Sequence, residues 1–131
     1  MENTAKHSIL IIDDEKPNLN VLAHTLRHEY AIYTARDGKT GLEIAKEYLP
    51  DLILLDIIMP DMDGYEVMTE LKASQKTQNI PVIFTTGLVS SEDIKKGLAM
   101  GAADYISKPF SAANIKEKVN NQIQTAKPNS M

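Results

Sequence analysis

Ser8-Ile9-Leu10-Ile11-Ile12-Asp13-Asp14 and Leu52-Ile53-Leu54-Leu55-Asp56 share one pattern, a short aliphatic run that stops on carboxylates. A continuous apolar run of this length reads as a strand covered on both faces, because a strand open to water on one side alternates apolar with polar residues. Pro81-Val82-Ile83-Phe84-Thr85 repeats the pattern, and Tyr30–Thr34 and Ala103–Ile106 supply two weaker strands. The first, third and fourth runs form the sheet centre. Segments of helical spacing separate the five strands, and that alternation is the signature of βαβ units building a doubly wound parallel sheet.

The helices carry their own punctuation. Pro17 sits at a favoured first-turn position, followed by an apolar stripe of Leu19, Leu22, Ala23 and Leu26. Asp37 caps a second helix whose face is Leu42, Ala45 and Leu49 and which Pro50 ends. A third follows Asp63-Gly64 with Val67, Met68 and Leu71 inward. A fourth begins at Ser90 or Ser91, shows Ile94 and Leu98, and stops at a left-handed Gly101. Gly97 inside it weakens it by roughly 1 kcal/mol relative to Ala, which marks it as the helix that moves. The fifth starts at Ser111 with Ile115, Val119 and Ile123. The polar, aperiodic Thr125–Met131 then reads as frayed end or linker, so the domain spans 1–125 and the tail or linker start 126–131.

The 131 residues, 43% hydrophobic and 24% charged, suit one globular domain. No apolar run approaches the ~20 residues that cross a bilayer, and Met1-Glu2-Asn3-Thr4 opens no signal region, which makes cytoplasm the simplest compartment. Without cysteine there is no disulfide, thiolate metal site or thiol nucleophile. A net charge of −4 argues against a nucleic-acid footprint, which needs a concentrated basic face.

Ligands of open α/β sheets bind beyond the carboxyl ends of the strands, and here those ends are polar. They carry Asp13 and Asp14, Asp56, Thr85-Thr86-Gly87, and Ser107-Lys108-Pro109. Three carboxylates gathered together repel one another unless a cation or raised pKa values relieve the charge. Magnesium suits this all-oxygen inventory, whereas zinc or copper would want His or Cys. Each aspartate alone is explained by local capping or turn formation. Together with Thr86 and Lys108 they are not. A lysine directly after a buried strand and before a proline calls for an anion beside it.

These residues resemble the receiver domain of two-component response regulators from about His7 to Thr125. The motifs are Asp13-Asp14, Asp56-Ile57-Ile58-Met59-Pro60-Asp61-Met62-Asp63-Gly64, Thr85-Thr86-Gly87 and Tyr105-Ile106-Ser107-Lys108-Pro109-Phe110, in order at matching strand ends. The resemblance implies a flavodoxin-like (βα)5 fold with strand order 2-1-3-4-5. It implies that Asp56 accepts a phosphoryl group from the phosphohistidine of a sensor histidine kinase or histidine phosphotransfer protein. Asp14 would bind Mg2+ (or Mn2+) directly, Asp13 directly or through water, and the backbone carbonyl of Ile58 would complete the protein ligands with Asp56. Thr86 would be the switch hydroxyl beside Gly87, Tyr105 the switch aromatic and Lys108 the phosphate partner, with a cis Lys108–Pro109 peptide. Output would pass through the fourth helix, fifth strand and fifth helix to a partner, an attached domain or a phosphorylation-dependent homodimer. Such a chain catalyses its own phosphotransfer and slow autodephosphorylation and is not a turnover enzyme. Apolar Ile58 and Leu88 would shield the acyl phosphate and slow that hydrolysis, which Ile58→Asn and Leu88→Glu would test.

The remaining motifs have plainer readings. His24 and His28, four apart on the first helix, lack a third metal ligand and read as surface residues. Tyr30, Tyr33, Tyr48 and Tyr65 read as packing, and the methionines as gap-fillers. Haloacid-dehalogenase-like phosphatases share the Asp, Thr and Lys inventory, but they place a second Asp two residues after the nucleophile, where this chain has Glu15 after Asp13.

Overall fold

The computed structural model describes residues 6–87 and 90–126. The strands are β1 (Ser8–Ile12), β2 (Ala31–Ala35), β3 (Leu52–Asp56), β4 (Val82–Thr86) and β5 (Asp104–Ser107). They alternate with α1 (Lys16–Leu26), α2 (Gly38–Tyr48), α3 (Gly64–Ala73), α4 (Ser91–Ala99) and α5 (Ala112–Ala126). All strand pairs are parallel, in the order β2-β1-β3-β4-β5. This is the flavodoxin-like doubly wound sheet.

Continuous apolar strands follow from a sheet with two covers. Successive side chains point to opposite faces, so Leu10, Ile12, Ile53, Leu55 and Phe84 meet Leu42 and Ala45 of α2 and Val67, Met68 and Leu71 of α3. Ile9, Ile11, Leu52, Leu54, Ile83 and Ile106 meet Leu19, Leu22 and Leu26 of α1 and Ile115 and Val119 of α5. Among the described residues no helix is long and apolar enough to cross a membrane.

The helix starts use the residues expected of them. Asp37 accepts the Thr40 N–H at 2.8 Å, and Ser90 accepts that of Asp93 at 3.2 Å. Asp63 and Glu66 form a reciprocal capping box at the start of α3. Several sequence expectations need correction. Strands β2, β4 and β5 begin one residue later than read, at Ala31, Val82 and Asp104, and β2 to β5 each end one residue later than read. Polar Asp56, Thr86 and Ser107 extend the strands because a ladder hydrogen bond is indifferent to side-chain polarity. Helix α2 ends before Pro50, where Leu49 turns left-handed at φ 49° and is left 52% exposed, off the apolar face. Leu98 of α4 is also exposed. Helix α1 starts at Lys16, and α5 starts at Ala112 and runs through Thr125 and Ala126; residues 127–131 of the expected tail lie outside the described residues. Gly101 does turn left-handed, at φ 103°. Gly97 is more than a weak point: a Cβ there would meet the Phe84 ring at 2.9 Å, so its bareness lets α4 lie against β4.

Gly64 fixes the exit from β3. Its N–H donates to the Ile57 carbonyl at 2.7 Å, and a Cβ at 64 would run into the Asp56 carbonyl oxygen and lie 2.7 Å from Ile57 Cα. At Gly41 the obstacle is the far end of the flexible Ile12 side chain. Gly64→Ala is therefore expected to cost roughly 3 kcal/mol and Gly41→Ala about 1 kcal/mol, because backbone cannot rotate aside. Urea unfolding at unchanged m-value measures both, and equal losses would contradict this packing.

Candidate functional site

Strands β1 and β3 lie side by side with Ile12 opposite Leu55, so the residues that follow, Asp13 and Asp56, emerge together at the carboxyl edge. One carboxylate oxygen from each of Asp13, Asp14 and Asp56 falls within a 4.8 Å cluster. Asp13 is fully buried and Asp56 is 3% exposed. Lys108, two residues beyond Ile106 on β5, donates from Nζ to Asp56 Oδ1 at 3.0 Å and stands 3.6 Å from Asp13 Oδ2. The Lys108 backbone N–H donates to the Thr86 carbonyl at 2.8 Å, which ties the lysine to the end of β4. The Lys108–Pro109 peptide is cis.

The charges do not balance. Burial raises the Asp56 pKa to about 6, with the Lys108 hydrogen bond opposing and the charges of Asp13 and Asp14 adding to the rise. Burial likewise raises that of Asp13, against the hydrogen bond its Oδ1 accepts from the Glu15 N–H at 2.9 Å. Burial alone would lower the Lys108 pKa, but the hydrogen bond and charge of Asp56 and the charges of Asp13 and Glu15 hold it above the ordinary lysine value. Among the described residues Asp13 Oδ2 accepts no hydrogen bond, and the cation beside it is Lys108, 3.6 Å away. Three carboxylates, one ammonium and an orphaned buried oxygen fit a hard divalent cation with oxygen ligands. Among the described residues this is the one group of three or more His, Asp or Glu side chains close enough to hold an ion.

The other candidates divide between the rim and the opposite face of the sheet. Ile58 stands two residues past β3 with its side chain 63% exposed, and Leu88 lies outside the described residues. Gly87 is exposed, and a Cβ there would meet nothing within 4 Å. Thr86 and Tyr105 line a narrow cavity beneath α4 together with Ile57, Phe84 and Gly97. Two contacts there were not read from sequence. Lys118 of α5 donates to Asp104 Oδ1 at 3.1 Å and stands 5.0 Å from the Tyr105 ring centroid, while Lys96 of α4 lies 4.1 Å above the Tyr65 ring. Their signal would be the spacing of basic residues on helices facing β5 and α3, which is not visible until the helices are docked. Tyr65 packs edge-on to Phe84 and Tyr33 stacks on Tyr48. His24 and His28 stand edge to face on the surface with ring centroids 6.3 Å apart.

Comparison with known proteins agrees with this geometry. The family model for the response regulator receiver domain matches residues 9–120. A probable cyclic di-GMP phosphodiesterase of Vibrio cholerae is 44% identical over 95% of this chain and 28% of its own length. The response regulator PleD of Caulobacter vibrioides is 44% identical over 78% of this chain and 23% of its own. The chain thus spans about a quarter of these curated relatives. Among solved structures, the signal receiver domain of a histidine kinase from Syntrophus aciditrophicus superposes with a TM-score of 0.84 at 31% identity, covering 95% of this chain and 96% of that one. The chemotaxis protein CheY4 of Vibrio cholerae does so with a TM-score of 0.85 at 28% identity, covering 89% and 98%. By fold, by strand-end motifs and by this match over most of its length, the chain belongs to the response regulator receiver domains of two-component signalling.

Proposed function

We propose that this chain is a phosphorylation-dependent switch in which Asp56 accepts a phosphoryl group from the phosphohistidine of a sensor histidine kinase or histidine phosphotransfer protein. The observation that carries this reading is the Lys108 ammonium 3.0 Å from a buried Asp56 carboxylate, with buried Asp13 alongside. Asp13, Asp14, Asp56 and the backbone carbonyl of Ile58 would hold Mg2+, which when bound places positive charge beside the transferring oxygens. A carboxylate oxygen of Asp56 attacks phosphorus; the P–O bond forms as the P–N bond breaks, and the imidazole nitrogen leaves with the electron pair. Lys108 offsets the charge gathered on the phosphoryl oxygens. The exposed apolar side chain of Ile58 offers an attacking water no partner, so the acyl phosphate hydrolyses slowly.

The acyl phosphate is a new dianionic acceptor, and the Thr86 hydroxyl donates to it. Thr86 and Tyr105 share the cavity beneath α4, so movement of the hydroxyl makes room for the ring. That shift reshapes the face made by α4, β5 and α5, which controls a partner protein or an attached output domain, including through a phosphorylation-dependent homodimer. Residues 1–125 are the switch module, and it works without turning over a substrate.

Intact-mass analysis after incubation with acetyl phosphate tests the reading. A single phosphoryl adduct that needs Mg2+ and is absent in Asp56→Asn is expected; an unmodified wild type, or a modified Asp56→Asn, would overturn it. The raised Asp56 pKa gives a second prediction for protein free of divalent cations. The native state holds the Asp56 proton up to about pH 6 and the unfolded state only to about 4, so this group's stabilisation is present below pH 4 and lost as pH rises through 6. Asp56→Asn is therefore expected to be more stable than wild type at pH 7.5, by up to about 3 kcal/mol, with the gap closing toward pH 4. Thermal melting in a chelator decides this; a wild type that melts higher at pH 7.5 would contradict it.

A further inference from the structure

Thr85 has no part in the mechanism above, and its surroundings are unlike those of a structural threonine. It is 1% exposed, and its Oγ1 has no hydrogen-bond partner among the described residues. In β4 it is register-paired with Asp56 on one side and Ile106 on the other. Because strand side chains alternate, this pairing puts Thr85 on the sheet face of Asp56 and sends adjacent Thr86 to the other face. The same face takes in Asp13, in line with Ile11, and Lys108, two residues past Ile106. Its neighbours on that face, Ile83 and Ile106, belong to the core layer under α1 and α5. Valine would fill this volume with strand propensity as good and no polar atom to bury. A buried hydroxyl without a partner costs stability that such a side chain avoids.

Paired strands lie about 5 Å apart, so rotation about χ1 brings Thr85 Oγ1 within reach of the Asp56 carboxyl group. In the unmodified chain Lys108 already donates to Asp56 Oδ1. We propose that Thr85 is a positioning residue for phosphorylated Asp56: its hydroxyl donates to the carbonyl oxygen that Lys108 leaves when the ammonium turns to the phosphoryl group. Thr85 then steadies the acyl carbonyl from within the sheet while Thr86 holds the phosphoryl oxygens, so the adjacent hydroxyls divide the two halves of the acyl phosphate between them. This inference rests on Asp56 being the acceptor.

Beryllofluoride, which mimics a phosphoryl group on a carboxylate, separates the two claims. Wild type, Thr85→Val, Thr85→Ala, Thr85→Ser and Asp56→Asn are titrated with beryllofluoride and Mg2+ and melted with and without it. Without ligand, Thr85→Val should melt about 3 °C above wild type, since it removes an unsatisfied polar atom. With ligand, Thr85→Val and Thr85→Ala should bind about tenfold more weakly, while Thr85→Ser stays within about twofold of wild type. A structural role alone would move free and bound melting temperatures equally. Wild-type affinity in Thr85→Val and Thr85→Ala would overturn the role of Thr85 and leave Asp56 as acceptor. A wild type that fails to bind, or an Asp56→Asn that binds, would overturn the acceptor reading and this inference with it.

Discussion

The Asp56 carboxylate is buried at the end of a central strand and, among the described residues, has one hydrogen bond, from Lys108, to hold its charge. That single contact sets the demands on everything around it. Asp56 must leave β3 at a fixed angle, which Gly64 secures by letting α3 press against the strand exit. Lys108 must return to the same edge from β5, which the order β1-β3-β4-β5 and its tie to the Thr86 carbonyl accomplish. Asp13 and Asp14 then bring more negative charge than one ammonium offsets, and that excess is what a divalent cation would relieve.

The sheet also divides the proposed chemistry from the proposed response. Asp56 and Thr85 share the strand face backed by α1 and α5, with Asp13 and Lys108 beside them at its carboxyl edge, whereas Thr86 and Tyr105 line the cavity on the face backed by α4. Two neighbouring residues of β4 therefore look to opposite sides, and in the proposed switch a change at Asp56 would cross the sheet through that one strand. On the receiving side α4 is lightly anchored, with Gly97 its one buried residue and Lys96 over the Tyr65 ring. Few buried apolar contacts would leave only a small difference between alternative positions of that helix, as the proposed switch requires.

The fold was legible because both of its signals are local. Uninterrupted apolar runs announced strands with two covers, and Asp37, Asp63, Ser90 and Gly101 announced helix ends through their own backbone preferences. The acidic cluster was legible because the topology rule carries strand-end residues to one edge. What escaped depended on long-range fit. Leu49 continues the helical period of α2 yet turns outward, since a left-handed residue ends the helix before the period can place it. Gly97 reads as a defect until the Phe84 ring is found against it. Thr85 reads as the end of an apolar strand, and only its register with Asp56 sets it among the charged groups.

The central claim is that, of three clustered carboxylates, the one bonded to Lys108 takes the phosphoryl group. Borohydride reduction of the phosphorylated chain converts an acyl phosphate to an alcohol, so peptide mass mapping identifies the modified aspartate. Homoserine at position 56 alone is the predicted result; homoserine at position 13 or 14 would contradict the account.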